Sequence, residues 1–439
     1  MPEIRPFRAL RYDPATIADL AQVVAPPYDV IDDTEADRLM ARHPASIVRL
    51  DKPRDEPGDK PDDRYRRAAR TLAGWRSDGT LHKDPHPSVY LYEQVYRVPG
   101  SEVVRTQRGF FGRLRLETGE GSGVLPHERT MSGPKEDRYK LLRATGVNTS
   151  PVVGLYVDRE GTGGPILDAL MARLADVDVV DDEGTRHRLW AVAADGDDAA
   201  TVGPLLVAAG GGPVIIADGH HRYETALRYR DERRMSRSCE EDPAFDYILM
   251  LLLDAAAEPL TVLPTHRVLG GLGEAGAEAL LAGLDRFFGV ERDVGAEALR
   301  DRFEAAGLAS GGAGRFGLWT RAGGALLTAR RETFEPFLPQ GGNALRGLDV
   351  TILGIAFEQL AGIDAEAVTA GAVTYTKSAG EAIDRVDARL DGADAAFLLE
   401  PTPVASIAAV AADGDVMPQK STYFHPKALS GLVINPHEW

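Results

Sequence analysis

Asp218-Gly219-His220-His221-Arg222 stands between a short apolar run, Val214 to Ala217, and a segment in which Tyr223, Ala226 and Leu227 fall at helical i, i+3, i+4 spacing. The pattern predicts a strand, a sharp turn and a helix. The first N–H groups of such a helix lack intrahelical acceptors and lie at the positive end of its dipole, so the turn favours an anion, phosphate or carboxylate. Asp218 is in addition a candidate ligand for a divalent cation. The plainer alternative makes Asp218 an N-cap and leaves the histidines to pack or solvate. A structural zinc is disfavoured, because adjacent histidines point apart and the ten histidines show no HExxH spacing.

Two further stretches carry chemistry. In Pro126-His127-Glu128-Arg129 one carboxylate sits among cationic neighbours, where a general base would stand. Between 121 and 150 five cations (Arg129, Lys135, Arg138, Lys140, Arg143) face three acids (Glu128, Glu136, Asp137), inside a chain of net charge −17. That local reversal predicts a surface that meets negative charge. Part of it is also explained by a solvated helix face with pairs such as Glu136 and Lys140. Near the end, Lys420, Ser421 and Thr422 offer an ammonium and two hydroxyls in succession, a grouping suited to phosphate oxygens. The glycines of a P-loop are missing, and a plain surface loop is the alternative.

The 439 residues have room for two or three domains. A net charge of −17 argues against a nucleic-acid or anionic membrane partner. The single cysteine, Cys239, excludes an intrachain disulfide and any multi-cysteine metal site. With no apolar leader-like segment at the start and no run long enough to span a bilayer, a cytoplasmic protein is expected.

The elements that must position these residues alternate along the chain. An N-terminal region ends in a hairpin around Pro99-Gly100, and 121–145 reads as a loop-like stretch. Strand and helix patterns then follow through the fully apolar run Tyr247–Asp254. An Ala/Gly-rich part from about 270 to 345 contains a second hairpin, and the last part repeats helix and strand. The division expected is 1–120, 121–268, 269–345 and 346–439. The fold class is α+β with a mixed sheet and an additional α/β region.

Five motifs, APPYDVI (25–31), LPHERTMSGPKEDR (125–138), ADGHHRYETA (217–226), LPTHRV (263–268) and MPQKSTYFHPK (417–427), together resemble the bacterial family catalogued as domain of unknown function 1015. Pro126-His127-Glu128, Asp218 to Arg222, and AAFLLEPTP followed by Pro418 to Thr422 are also similar, in the same order, to the free-serine kinases of the ParB/sulfiredoxin-like group. That resemblance implies a ParB/sulfiredoxin-like core and transfer of phosphate from a nucleotide, ATP favoured with ADP or pyrophosphate as the alternative donors, to free L-serine with Mg²⁺. It implies Glu128 as base, with Asp218 and His221 at the substrate and the transferring phosphate. His220 to Arg222 would cradle the nucleotide, Lys420, Ser421 and Thr422 would hold phosphoserine, and His127, Arg129, Lys135 and Arg138 would add phosphate contacts. A monomer or small homo-oligomer is expected. A ParB-like nucleotide sensor without kinase activity and a phosphate-ester hydrolase are the competing classes.

Overall fold

The computed structural model describes residues 1–119, 121–128, 132–236, 241–257, 260–304 and 314–439. Arg129 and Cys239 lie outside the described residues. The architecture is the expected α+β one. A large mixed sheet runs in the order Val124–Pro126, Val214–Asp218, Val152–Tyr156, Tyr247–Asp254, Val104–Arg115, Ser88–Arg97, Arg186–Ala193, Val177–Val180, with Ile4–Arg5 added beside Val104–Arg115. A second, antiparallel sheet runs Phe288–Val294, Gly323–Ala329, Arg315–Thr320, Ala393–Leu399, His266–Gly270, Val373–Thr376.

The apolar run Tyr247–Asp254 owes its composition to its place. Leu249, Leu251 and Leu253 point into one core cluster, while Ile248, Met250 and Leu252 point into the other. A strand with cores on both faces has no solvent side on which to carry polar residues. Both expected hairpins form, Ser88–Arg97 with Val104–Arg115 and Arg315–Thr320 with Gly323–Ala329.

The 121–145 stretch differs from expectation. Only its start is a loop and strand; Ser132–Thr145 is an α-helix packed on the helix His220–Ser236. Its charges are used between helices. Arg228 bonds Glu136 at 2.6 Å and sits 3.6 Å from the centre of the Tyr139 ring, Lys140 reaches Asp62 at 2.8 Å, and Lys135 pairs with Glu224. The cations on this helix therefore bind neighbouring elements, and Glu136 and Lys140 do not pair with each other.

Topology brings the motifs together. Val124–Pro126 and Val214–Asp218 are parallel neighbours, with Ile216 opposite Pro126, so Pro126-His127-Glu128 and Asp218-Gly219-His220 leave the sheet at the same carboxyl end. Ligand sites of open α/β sheets form at such ends. The third motif arrives through a parallel bridge between Glu128 and Met417 and through pairing of Tyr423–His425 with Thr261–Leu263.

Candidate functional site

The turn is built as its residues dictate. Gly219 has φ +87°, and a Cβ there would meet the Arg222 guanidinium at 3.0 Å and the Val152 Cα at 3.2 Å. A side chain is excluded both by conformation and by space. Arg222 then folds back onto Asp218 Oδ2 at 2.6 Å and donates to the Pro151 carbonyl, while Lys427 binds Asp218 Oδ1. Burial pushes the Asp218 carboxyl up, but Lys427 and Arg222 outweigh it and hold the group well below the usual carboxylate range.

His127 is fully buried and joins four segments. Its Nδ1 faces the Ile216 carbonyl, which only accepts, so Nδ1 carries the proton; Nε2 is left to accept from the Thr422 hydroxyl at 2.9 Å. Its peptide N–H donates to His220 Nε2 at 3.3 Å, and its carbonyl accepts from Met417 N–H at 2.8 Å. Both ring nitrogens are spent on protein partners, which leaves none for a phosphate. His127 holds the motifs in place, with both ring nitrogens turned to protein partners.

Burial lowers the His127 pKa to about 4. In the unfolded chain the ring titrates near its ordinary value of about 6.5, so the unfolded state takes up a proton first as pH falls. The stabilisation is complete above pH ~6.5 and is lost progressively toward pH ~4, about 3 kcal/mol from this ring alone. Denaturant titrations at pH 7 and pH 4.5 should show this fall in the wild type and a smaller one in a folded His127→Gln variant. Equal falls in both would assign the loss to other groups.

Glu128 is half-buried, and its two oxygens accept from two successive amides, Lys420 N–H at 2.8 Å and Ser421 N–H at 3.2 Å. Burial raises its pKa, against the pull of those amides and of Lys420. Lys420 itself adopts φ +56°, which turns consecutive amides toward the carboxylate. Ser421 is buried and donates its hydroxyl to the Pro418 carbonyl at 2.5 Å.

These groups border one cavity of ≈ 220 Å³. Of the expected residues, Glu128, Asp218, His220, His221, Arg222, Lys420 and Thr422 line it; His127 and Ser421 stand behind them, and Lys135 and Arg138 do not line it. Arg138 is buried under the Tyr28 ring at 3.8 Å and bonds Asp137 at 2.9 Å, so it supports the wall without entering the cavity. The wall also contains Asp29, Lys377, Tyr423 and Lys427, which the sequence did not single out as ligands. Lys377 and Lys427 each sit 4.3 Å from the centre of the Tyr423 ring, one on Tyr423 Oη at 3.2 Å and the other on Asp218. The lining thus carries four cations, Arg222, Lys377, Lys420 and Lys427, against three acids, Asp29, Glu128 and Asp218. Among the described residues the Lys420 ammonium has no hydrogen bond or ion pair. An anion entering the cavity would find it free.

A divalent cation on Asp218 does not fit this arrangement. Both carboxylate oxygens already face cations, and the described residues contain no group of three His, Cys, Asp or Glu able to hold a metal.

The protein family described as protein of unknown function, DUF1015, matches residues 4–351. The chain belongs to the DUF1015 family. Of the residues just described, the Glu128 and Asp218 motifs fall inside the matched DUF1015 region, and Lys420 to Lys427 fall after it. No curated protein matches the DUF1015 chain in sequence. Among solved structures it is similar to a conserved hypothetical protein from Pyrococcus furiosus, with 14% identity, TM-score 0.34, and coverage of 69% of this chain and 87% of the other. A free serine kinase in complex with AMP gives 14% identity, TM-score 0.36 and coverage of 69% and 83%. SbnI with a C-terminal truncation, from Staphylococcus aureus, gives 10% identity, TM-score 0.37 and coverage of 74% and 86%. No helix among the described residues is long and apolar enough to cross a membrane.

Proposed function

We propose that this DUF1015 protein transfers a phosphoryl group from a nucleoside phosphate, ATP in preference to ADP, to the hydroxyl of free L-serine, giving O-phospho-L-serine. The observation that supports this most is convergence: three motifs far apart in sequence border one cation-rich cavity in the order of the kinase resemblance. Phosphoryl transfer asks little covalent chemistry of a protein and much positioning and charge.

In this reading Glu128 takes the proton of the serine hydroxyl while that oxygen attacks phosphorus and the bond to the leaving nucleotide phosphate breaks. A carboxylate has about four lone-pair sites, so the amides of Lys420 and Ser421 leave Glu128 able to accept a proton. Its raised pKa makes it a stronger base than an exposed glutamate. Lys420 supplies charge to the transferred group, His221 stands beside it, and the first amides of the helix His220–Ser236 face the donor's phosphates. Asp218 fixes Lys427 and Arg222, and no step is routed through a protein-bound metal. The partners are the nucleotide and serine alone.

One observation favours a second reading, nucleotide binding without transfer: Glu128 already clasps the 420–421 loop, a role that requires no chemistry.

The free ammonium gives a direct test of phosphate binding. Lys420→Ala should weaken phosphoserine by roughly 10- to 100-fold in calorimetry, the loss of one charge-assisted bond. Unchanged affinity would return Lys420 to the role of a surface lysine.

A further inference from the structure

A second cavity, of ≈ 380 Å³, lies behind the 418–420 loop, against the helix Asp349–Ala361, the helix Ala365–Thr369 and the strand Val373–Thr376. It shares Tyr375 with the site above but none of that site's catalytic groups. Its inner wall is apolar, with Val350, Ile355, Phe357 and Val368. One charge interrupts that wall. Arg267 is 5% exposed, and among the described residues its guanidinium donates only to backbone carbonyls, Thr265 O at 2.8 Å and Lys420 O at 3.4 Å. Among the described residues no carboxylate lies within ion-pair distance of it. Glu128 attracts it only from longer range, and the Tyr375 ring centre lies 5.7 Å from its guanidinium; a buried cation without a contacting counter-ion is costly, and a carboxylate entering the cavity would relieve that cost.

The rim defines the ligand further. Glu358 and Asp364 line the cavity at exposed positions, so a second negative charge on a ligand would be repelled there. A volume of ≈ 380 Å³ falls within the ordinary range for small-molecule sites, roughly 300–1,000 Å³. We propose that this cavity binds a small monocarboxylate with an apolar body, its carboxylate on Arg267 and its hydrocarbon part on the helix Asp349–Ala361. The site stands independently of the kinase reading.

Calorimetry of the full chain with phenylacetate and with its uncharged isostere phenylacetamide tests the assignment. Phenylacetate should bind saturably and phenylacetamide at least about tenfold more weakly, the difference expected of a charge-assisted bond. Gly354 lines the cavity, and a Cβ added there meets nothing within 4 Å, so Gly354→Leu should fill the space in a folded protein and abolish phenylacetate binding. A folded Arg267→Gln protein should bind acid and amide alike. Where Arg267→Gln does not fold, the acid–amide comparison and Gly354→Leu decide. Absence of saturable heat, equal affinity for acid and amide in the wild type, or wild-type binding by Gly354→Leu would overturn the proposal. Displacement of phenylacetate by ADP would also overturn it, by giving the cavity to a nucleotide.

Discussion

Glu128→Gln is expected to lower kcat for serine phosphorylation by roughly 10²- to 10⁴-fold with little change in nucleotide affinity, as for the loss of a general base. The structure adds a consequence that the residue types alone do not reveal. Glu128 accepts two amide N–H groups, whereas glutamine offers one oxygen and one NH₂. One of the Lys420 and Ser421 amides must then face a donor. A stability loss of about 1–3 kcal/mol should therefore accompany the rate loss, where a purely catalytic carboxylate would cost almost none. Steady-state kinetics and urea denaturation on the same variant separate the two effects. The pH profile carries the same signature: because burial raises the Glu128 pKa, turnover should fall with decreasing pH through a midpoint above the ordinary glutamate range. If Glu128→Gln keeps near-normal turnover while losing stability, the carboxylate is a clasp and the base lies elsewhere. Asp29 then stands next, since it lines the cavity, while Asp32 is occupied as the N-cap of the helix Asp33–Arg42.

Asp218→Asn should act mainly on the fold of the site. The side chains of Asp218, Arg222 and Lys427 are 14%, 9% and 12% exposed; Lys427 pairs with this carboxylate, and Arg222 pairs with it at 2.6 Å and with Asp29 only at 4.0 Å. Breaking a buried ion pair by removing one partner costs about 3–5 kcal/mol, because the remaining charges are left desolvated. The variant should lose that much stability in urea, along with ligand affinity and rate. Stability within about 1 kcal/mol of wild type would mean that solvent reaches Lys427 and Arg222 and that the triad is a surface pair.

Much of the fold was legible because its signals are local. The apolar run before Asp218, the helical spacing after Arg222 and the turn residues of both hairpins depend only on neighbours in sequence. The helix Ser132–Thr145 was hidden because its motif residues read as loop chemistry. Its charges also pair with Glu224, Arg228 and Asp62 on other helices, which its own spacing cannot reveal. Arg138 looked like a phosphate ligand for the same reason: nothing in its own stretch announces that Tyr28 will cover it. The role of Lys427 cannot be read from its own stretch, since its partner Asp218 is 209 residues away. The ring contacts of His127 are equally invisible in its own stretch, because only the tertiary fold supplies Ile216 O and Thr422 Oγ1 to its ring.

Serine phosphorylation is tested by incubating purified protein with free L-serine and, separately, ATP or ADP, with Mg²⁺ in the buffer, and following the product by phosphorus NMR. O-phospho-L-serine should form in amounts that scale with enzyme, and Glu128→Gln should not produce it. A folded protein that binds nucleotide in calorimetry yet forms no phosphoserine above the enzyme-free control with either donor would contradict the proposed phosphorylation.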